Sequence, residues 1–229
     1  MKIGGLQKMT LLDYPGKVAC TLFLSGCNLR CPYCHNPELV LGSGQGEGLP
    51  QAELLDFLEK RRGKLDGVCI TGGEPTVHRD LPELIETIRS LGYLIKLDTN
   101  GSNPHMVEAL LDRKLLDYVA MDIKNSREFY CRTCGGVDIL QNAEKTVALL
   151  KQGTVDYEFR TTVCKPLHSV ESVRQIGQWI RGAEHYYLQN FVDSGHLVGE
   201  GMTSVPPEEL GAMARAARDF VPGTEIRGE

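Results

Sequence analysis

Three cysteines lie close together near the N-terminus, in the stretch CNLRCPYCHN (27–36). Cys27, Cys31 and Cys34 have the spacing C-x3-C-x2-C. A structural zinc site needs four ligands and a redox CxxC pair needs two, so neither accounts for three thiolates. Three cysteines can hold a [4Fe–4S] cluster and leave one iron free to coordinate another molecule. The alternative is a zinc site that recruits His35 or a distant cysteine as its fourth ligand.

Glycines and charged residues follow other strand-like segments, in GGEP (72–75), DTNG (98–101) and DIK (122–124). Glycine lets a backbone approach a ligand where a Cβ would clash. Asp98, Asp122 and Lys124 offer both signs of charge, which a zwitterionic amino-acid head group requires. Positions 122 and 124 of a strand point to the same face. Taken singly, each of these charges could also belong to a solvated strand end.

A repeating pattern of strands and helices must position these residues. Strands are predicted at 18–25, 67–71, 93–99, 116–124, 155–164 and 184–192. Helices are predicted at 50–62, 80–92, 105–114, 139–153, 169–182 and 206–220. This alternation indicates parallel βαβ units, and six units are too few to close an eight-stranded barrel. We therefore expect an α/β fold with an open, partial (βα)6 barrel of parallel strands; the alternative is a flat, doubly wound sheet.

The predicted strand ends bring the polar motifs together. Parallel α/β folds bind ligands at the carboxyl ends of their strands. The cysteine loop follows the first predicted strand, and GGEP, DTNG and DIK end the next three. The fifth strand carries Arg160, and the sixth carries Gln189 and Asn190. We expect one domain over 1–229, with its core at about 16–192 and a helical extension at 193–229.

The composition limits the class of protein. The chain has 229 residues and a formal net charge of −5, which argues against nucleic-acid binding. No apolar run approaches the roughly 18–20 residues that span a bilayer, and the N-terminus lacks the apolar stretch of a signal peptide. We expect a cytoplasmic protein whose eight cysteines stay reduced, which favours metal or redox chemistry. Cys20, Cys69 and Cys164 are interpreted as small buried residues.

Together these motifs resemble those of the radical S-adenosylmethionine (SAM) enzymes. The cysteine loop, with Tyr33 as its aromatic residue, is similar to their cluster motif, and GGEP (72–75) is similar to their GGE motif. DTNG and DIK narrow the resemblance to activating enzymes of glycyl radical enzymes. The segments 13–37 and 188–191 are most similar to activating proteins of anaerobic ribonucleoside-triphosphate reductase. The resemblance covers roughly residues 10–192.

The resemblance implies a set of cofactor-binding residues. Cys27, Cys31 and Cys34 would hold one [4Fe–4S] cluster, whose free iron is chelated by the methionine amine and carboxylate of SAM. Three more groups would surround SAM: Gly72, Gly73 and Glu74 at the amine, Asp98, Asp122 and Lys124 along the methionine moiety, and the backbone near Tyr33 and His35 beside the adenine. Asp98 and Asp122 would also help to form a monovalent-cation site, as equivalent residues do in pyruvate formate-lyase activating enzymes.

The resemblance also implies a reaction on a protein partner. An electron donor such as flavodoxin or ferredoxin would reduce the cluster, and SAM would be cleaved to methionine and a 5′-deoxyadenosyl radical. The radical would take a hydrogen atom from a glycine α-carbon of a glycyl radical enzyme, here anaerobic ribonucleoside-triphosphate reductase. The alternatives are another glycyl radical enzyme, such as pyruvate formate-lyase, or a small-molecule reaction like that of 7-carboxy-7-deazaguanine synthase.

A second cysteine pair, Cys131 and Cys134, lies outside this resemblance. Two thiolates cannot complete a tetrahedral metal site, so we interpret the pair as structural or incidental. A redox or auxiliary role is the alternative, because CxxC motifs often carry reactive thiols. His168 also follows a predicted strand, and no role is assigned to it.

Overall fold

A single mixed sheet forms the centre of the fold. The computed structural model describes residues 1–34, 36–41, 48–193 and 195–228. Within these residues eight strands are present: β1 (Ile3–Thr10), β2 (Ala19–Leu24), β3 (Gly67–Gly72), β4 (Leu94–Thr99), β5 (Tyr118–Asp122), β6 (Asp156–Val163), β7 (Tyr186–Asn190) and β8 (Thr224–Arg227). The helices are α1 (Pro37–Leu41), α2 (Gln51–Arg61), α3 (Leu81–Ser90), α4 (Pro104–Asp112), α5 (Tyr130–Thr133), α6 (Leu140–Leu150), α7 (Val170–Trp179) and α8 (Pro207–Arg218).

The strand order follows the chain from β1 to β8 without a reversal. β1 is antiparallel to β2, and each later strand is parallel to the one before it. A doubly wound sheet reverses its order at a switch point, so that alternative was wrong. Within the described residues β1 does not pair with β8, and the sheet stays open. The prediction of an open, partial barrel is confirmed.

The two outermost strands were not predicted. β1 contains two glycines and is largely exposed, so it shows no clear alternation of apolar and polar residues. β8 has four residues and pairs with β7 at the other edge. The segment 193–229, expected to be helical, therefore contributes both α8 and a strand. The six predicted strands correspond to β2 to β7.

The six predicted helices correspond to α2, α3, α4, α6, α7 and α8. Proline in the first turn begins α3, α4 and α8, as expected from its fixed φ and missing N–H group. A capping box between Ser169 and Ser172 begins α7. The short helices α1 and α5 were not predicted. α1 follows the cysteine loop, and α5 includes Cys131. No helix among the described residues is long and apolar enough to cross a membrane.

The central strands are buried on both faces, but the two faces differ in chemistry. Leu22 and Leu97 belong to the apolar core and are fully buried. Alternate positions on the other face carry polar side chains, including Thr21, Lys96 and Glu158, each at most 1% exposed. Because side chains of a strand alternate between its faces, these polar groups point to the inner side of the partial barrel. The interior is therefore built for polar contacts.

Candidate functional site

A cavity of about 320 Å³ opens at the carboxyl ends of the parallel strands. Its volume is in the range of small-molecule sites. The residues predicted from the sequence that line it are Cys27, Cys31, Tyr33, Cys34, Gly72, Gly73, Glu74, Asp98, Asp122 and Lys124. His35 lies outside the described residues. Arg160 and Gln189 also line the cavity. The sheet therefore brings together motifs from four separate loops.

The end of β4 holds the cysteine loop in place. The side-chain amide of Asn100 donates to Asn28 Oδ1 at 3.1 Å and lies 4.0 Å from Cys27 Sγ. Asn28 in turn donates to the Ser102 hydroxyl at 2.9 Å. The backbone N–H of Leu29 donates to Cys27 Sγ at 3.4 Å. These contacts orient the first cysteine toward the cavity.

Cys134 contacts the cysteine loop, although it is distant in sequence. The Cys134 and Cys31 side chains interact, and this interaction lowers the pKa of Cys31 to about 7 and raises that of Cys134. The N–H of Arg30 donates to the Cys134 carbonyl at 3.2 Å. Gly135 packs so closely on Arg30 that a Cβ would lie 2.2 Å from its carbonyl oxygen. Cys131, by contrast, is exposed, so the two cysteines of the CxxC pair occupy different environments.

The arrangement of the three cysteines fits a polynuclear cluster. All three line the same cavity, and burial raises the pKa of Cys27 to about 11 and also raises that of Cys34. Among the described residues no three His, Cys, Asp or Glu side chains converge closely enough to hold one metal ion. A [4Fe–4S] cluster does not need such convergence, because each cysteine binds a different iron. Cys27, Cys31 and Cys34 are thus suited to hold a cluster.

The glycines of the GGEP turn are required by the end of β2. A Cβ on Gly73 would lie 2.0 Å from the Gly26 carbonyl oxygen, and one on Gly72 would lie 2.3 Å from that of Leu24. Gly72 also has a φ of 122°, which side chains disfavour. The N–H groups of Gly73 and Glu74 donate to Leu24 and Gly26, both at 2.8 Å. Gly72 and Gly73 therefore approach the backbone at the end of β2, whereas the sequence suggested that they approach a ligand.

Glu74 joins the GGEP turn to the DTNG turn. It is 1% exposed, and burial raises the pKa of its carboxyl group. Oε1 accepts from Thr76 N at 3.0 Å, Thr76 Oγ1 at 2.5 Å and Thr99 Oγ1 at 2.7 Å. Oε2 accepts from the backbone N–H of Asn100 at 2.6 Å. The carboxylate thus fixes two loops of the cavity relative to each other.

Five charged side chains alternate in sign across three adjacent strands. Lys96 pairs with Asp98 Oδ1, and Arg160 binds Asp98 Oδ2 at 3.1 Å. Arg160 Nε also donates to Asp122 Oδ1 at 3.0 Å, and Lys124 donates to Asp122 Oδ2 at 3.0 Å. We call Lys96, Asp98, Arg160, Asp122 and Lys124 the charge ladder. The sequence identified Arg160 as a rim residue without a role and missed Lys96.

The charge ladder keeps both carboxylates ionised. Burial raises the pKa of Asp98, but Arg160 and Lys96 outweigh it and hold this pKa below its usual value. Burial likewise opposes ionisation of Asp122, and Lys124 and Arg160 lower its pKa to about 2. Burial also disfavours the Lys124 ammonium, but Asp122 raises its pKa well above the ordinary value. At neutral pH the cavity wall therefore carries fixed charges of both signs.

The rings of Tyr33 and His168 pack against each other near Lys124. Their rings are 6.3 Å apart between centroids, in an edge-on arrangement. His168 Nε2 lies 2.9 Å from the Lys124 carbonyl oxygen, an acceptor, so Nε2 carries the proton. The Cys164 N–H then donates to Nδ1 at 3.2 Å. His168 thus connects the end of β5 to the end of β6. The sequence analysis had assigned no role to this residue.

The segment after β7 covers the cysteine loop. The N–H of Gly199 donates to the Pro32 carbonyl at 2.9 Å, and that of Val198 donates to the Cys34 carbonyl at 3.2 Å. Asn190, predicted on the rim, holds this segment by two hydrogen bonds of 2.9 Å with the backbone of Val205. Gln189 is the neighbour that lines the cavity. Gln189 therefore belongs to the cavity wall, and Asn190 holds the segment that covers the cysteine loop.

An open barrel of parallel strands with a three-cysteine loop beside a charged cavity defines a class of cofactor-dependent enzymes. A sequence profile of the radical SAM superfamily matches residues 21–180. The chain belongs to the radical SAM superfamily. It is homologous to the glycyl-radical enzyme activating enzymes within it.

Three individual proteins show how far the similarity extends. A Methanocaldococcus jannaschii protein described as a glycyl-radical enzyme activating enzyme is 31% identical over 98% of this chain and 95% of its own. The 7-carboxy-7-deazaguanine synthase of Aquifex aeolicus is 44% identical, but over only 34% of either chain. The structure of Streptococcus suis SuiB bound to S-adenosylmethionine superposes with a TM-score of 0.69 at 15% identity. That match covers 91% of this chain and 52% of SuiB, and it supports the fold alone.

Proposed function

We propose that the protein activates a glycyl radical enzyme by cleaving SAM and removing a hydrogen atom from a glycine of that partner. The observation that carries this proposal is the 31% identity to the M. jannaschii relative, which extends over 98% of this chain and 95% of that one. The similarity therefore extends beyond residues 21–180, which the superfamily profile matches. The three-cysteine cavity supports the same conclusion.

The described residues divide into holding and positioning groups. Cys27, Cys31 and Cys34 would bind the [4Fe–4S] cluster, which supplies the electron for cleavage of the sulfonium when it is bound. The methionine ammonium of SAM would need acceptors from the GGEP turn. These would be carbonyl oxygens, because the N–H groups of Gly73 and Glu74 already donate to protein backbone.

The charge ladder supports a zwitterionic ligand along β4 and β5. Asp122 and Lys124 are both accessible from the cavity, with side chains 32% and 15% exposed. The Lys124 ammonium can bind the methionine carboxylate by a charge-assisted hydrogen bond, and Asp122 holds Lys124 in position. Tyr33, 6% exposed at the cavity wall, would lie near the adenine. His35 would flank it through its backbone, as the family resemblance implies.

Anaerobic ribonucleoside-triphosphate reductase is the partner that we propose. The support is the resemblance of segments 13–37 and 188–191 to the activating proteins of that reductase. A flavodoxin or ferredoxin would supply electrons in the cytoplasm. The net charge of −5 agrees with a partner other than nucleic acid.

A small-molecule reaction is the second candidate function. The 44% identity to the A. aeolicus 7-carboxy-7-deazaguanine synthase favours it, but that match covers 34% of this chain. The match leaves about two thirds of this chain outside it. The two candidates differ in one property, which is whether SAM cleavage is coupled to a protein glycine.

The test uses anaerobically reconstituted protein with SAM, a reductant and a candidate glycyl radical enzyme. We expect 5′-deoxyadenosine and methionine, together with a glycyl radical signal in the partner's electron paramagnetic resonance spectrum. Cys31→Ala should abolish all three, whereas Cys131→Ala, a change of an exposed cysteine, should retain them. SAM cleavage without a radical on any candidate partner, combined with turnover of the 7-carboxy-7-deazaguanine synthase substrate, would reverse the assignment.

A further inference from the structure

Lys96 is a buried cation at the inner end of the charge ladder. It is 1% exposed and lies on β4, two residues before Asp98, so both side chains point into the barrel. Its ammonium pairs with Asp98 Oδ1, lies 3.8 Å from Cys69 Sγ and is 6.0 Å from the centroid of the Tyr118 ring. Lysine is almost never fully buried without a partner. An unneutralised charge at this depth would be strongly destabilising.

The charge ladder does not fit the monovalent cation that the family resemblance implies near Asp98 and Asp122. Each of the four carboxylate oxygens of these two residues already contacts a basic side chain. The ladder contains two carboxylates and three cations, Lys96, Arg160 and Lys124. A sodium or potassium ion would have to displace a basic side chain from one of these carboxylate oxygens. It would also compete with side chains that are tethered to the sheet.

We propose that the Lys96 ammonium replaces this monovalent cation as a built-in counterion of Asp98. Lys96 holds Asp98 ionised and fixes the carboxylate that orients Arg160, and Arg160 in turn binds Asp122. Lys96 is thus a positioning residue that acts on SAM through Asp98 and Arg160. The protein accordingly binds SAM with the same affinity whether sodium, potassium or neither ion is present.

The first experiment compares the wild-type protein in three salts. The reconstituted protein is placed in KCl, NaCl or choline chloride at equal ionic strength, and its Tm and its affinity for SAM are measured. We expect equal values in all three salts. A clear loss of Tm or SAM affinity in choline chloride would overturn the proposal. This comparison requires no substitution and therefore does not depend on the folding of a variant.

The second experiment creates the missing cation site. Lys96→Ala leaves space beside Asp98, so we expect a lower Tm in choline chloride and a saturable rise on adding KCl or NaCl. A cation at about ten times its dissociation constant should raise Tm by roughly 3–6 °C. Lys165→Ala is the matched control, because Lys165 pairs with Glu209 at a more exposed position. A rise of equal size in both variants, or in neither, would contradict the proposal.

A third variant tests positioning without opening a space. Lys96→Met keeps most of the side-chain volume and removes the charge, so we expect weaker SAM binding in all three salts. Undiminished SAM affinity in Lys96→Met would show that Lys96 has no effect on the ligand. The inference uses the SAM site of the proposed function, but the Tm measurements involve neither SAM nor a partner protein. Failure of the cation experiment is therefore distinguishable from failure to activate a glycyl radical enzyme.

Discussion

Replacement of Glu74 by glutamine tests whether this residue acts by joining two turns. Its four hydrogen-bonding partners all donate to it, and two of them are the backbone N–H groups of Thr76 and Asn100. Glutamine retains one oxygen and places an NH2 group where the other oxygen was. In either orientation of the amide, one backbone N–H group therefore loses its acceptor and faces another donor.

The expected cost follows from these contacts. A hydrogen bond to a charged group contributes about 1.5–3 kcal/mol. Because burial raises the pKa of Glu74, the neutral amide also removes part of the cost of burying the carboxylate. This offset places the loss at the lower end, about 1.5 kcal/mol, which corresponds to a fall in Tm of roughly 3–6 °C for a chain of this size.

Thermal unfolding of the anaerobic protein, followed by circular dichroism, measures the effect. Glu108→Gln, on the exposed side of α4, is the matched control and should change stability by less than about 0.5 kcal/mol. SAM affinity should also fall in Glu74→Gln, because the GGEP and DTNG turns lose their connection. If Glu74→Gln melts like the control and yet loses SAM binding, Glu74 contacts the ligand directly and its proposed structural role is refuted.

Three further predictions concern neighbouring groups. Cys134→Ser should reduce the iron retained per chain, because Cys134 contacts Cys31, whereas Cys131→Ser should not; equal retention would reject a role for Cys134. Burial lowers the pKa of His168 in the folded protein. As pH falls below about 6.5, His168 is therefore protonated more readily in the unfolded chain than in the folded one, and the free energy of unfolding declines by up to about 1.4 kcal/mol per pH unit. Urea unfolding between pH 7.5 and 5.5 should show this slope in the wild type and a smaller one in His168→Gln. Asp122→Ala and Lys124→Ala should keep the cluster but weaken SAM binding about tenfold or more, since a charge-assisted hydrogen bond contributes about 1.5–3 kcal/mol. Calorimetric titrations measure this, and unchanged SAM affinity in both variants would exclude a contact between these residues and SAM.

The sequence was sufficient to predict the six inner strands because local and global signals agree there. Each of these strands is an apolar run bounded by turn residues, and each is followed by a helical pattern. Parallel pairing then forces the segments after them to one end of the sheet. This constraint explains why Cys27, Asp98 and Asp122, which are distant in sequence, line one cavity.

The edge strands could not be predicted in this way. The stretch IGGLQKMT of β1 pairs with β2 through a register with two irregularities, so its neighbour stabilises it more than its own pattern does. β8 spans Thr224–Arg227 and is defined by its hydrogen bonds to β7. Strand preference depends strongly on such context, and neither segment contains a long enough alternation to reveal it.

One feature of the site could have been predicted from the sequence but was missed, and another has no sequence pattern that would predict it. Lys96 interrupts an apolar strand two positions before Asp98, and period-two alternation places both on one face. That pattern would have indicated a buried ion pair. The contact between Cys134 and Cys31 has no such pattern, because it results from how the loop after β5 packs against the loop after β2.

The cover over the cysteine loop has a consequence for the order of biosynthesis. Cys34 is translated well before Val198 and Gly199, whose N–H groups bind the carbonyls of Cys34 and Pro32. At about 5–20 residues per second, roughly 10–30 s separate the synthesis of these two segments. During that interval the three thiols are available in a nascent chain that lacks their final surroundings. We therefore expect a chain truncated before Val198 to present the cysteines without this cover and to retain less iron.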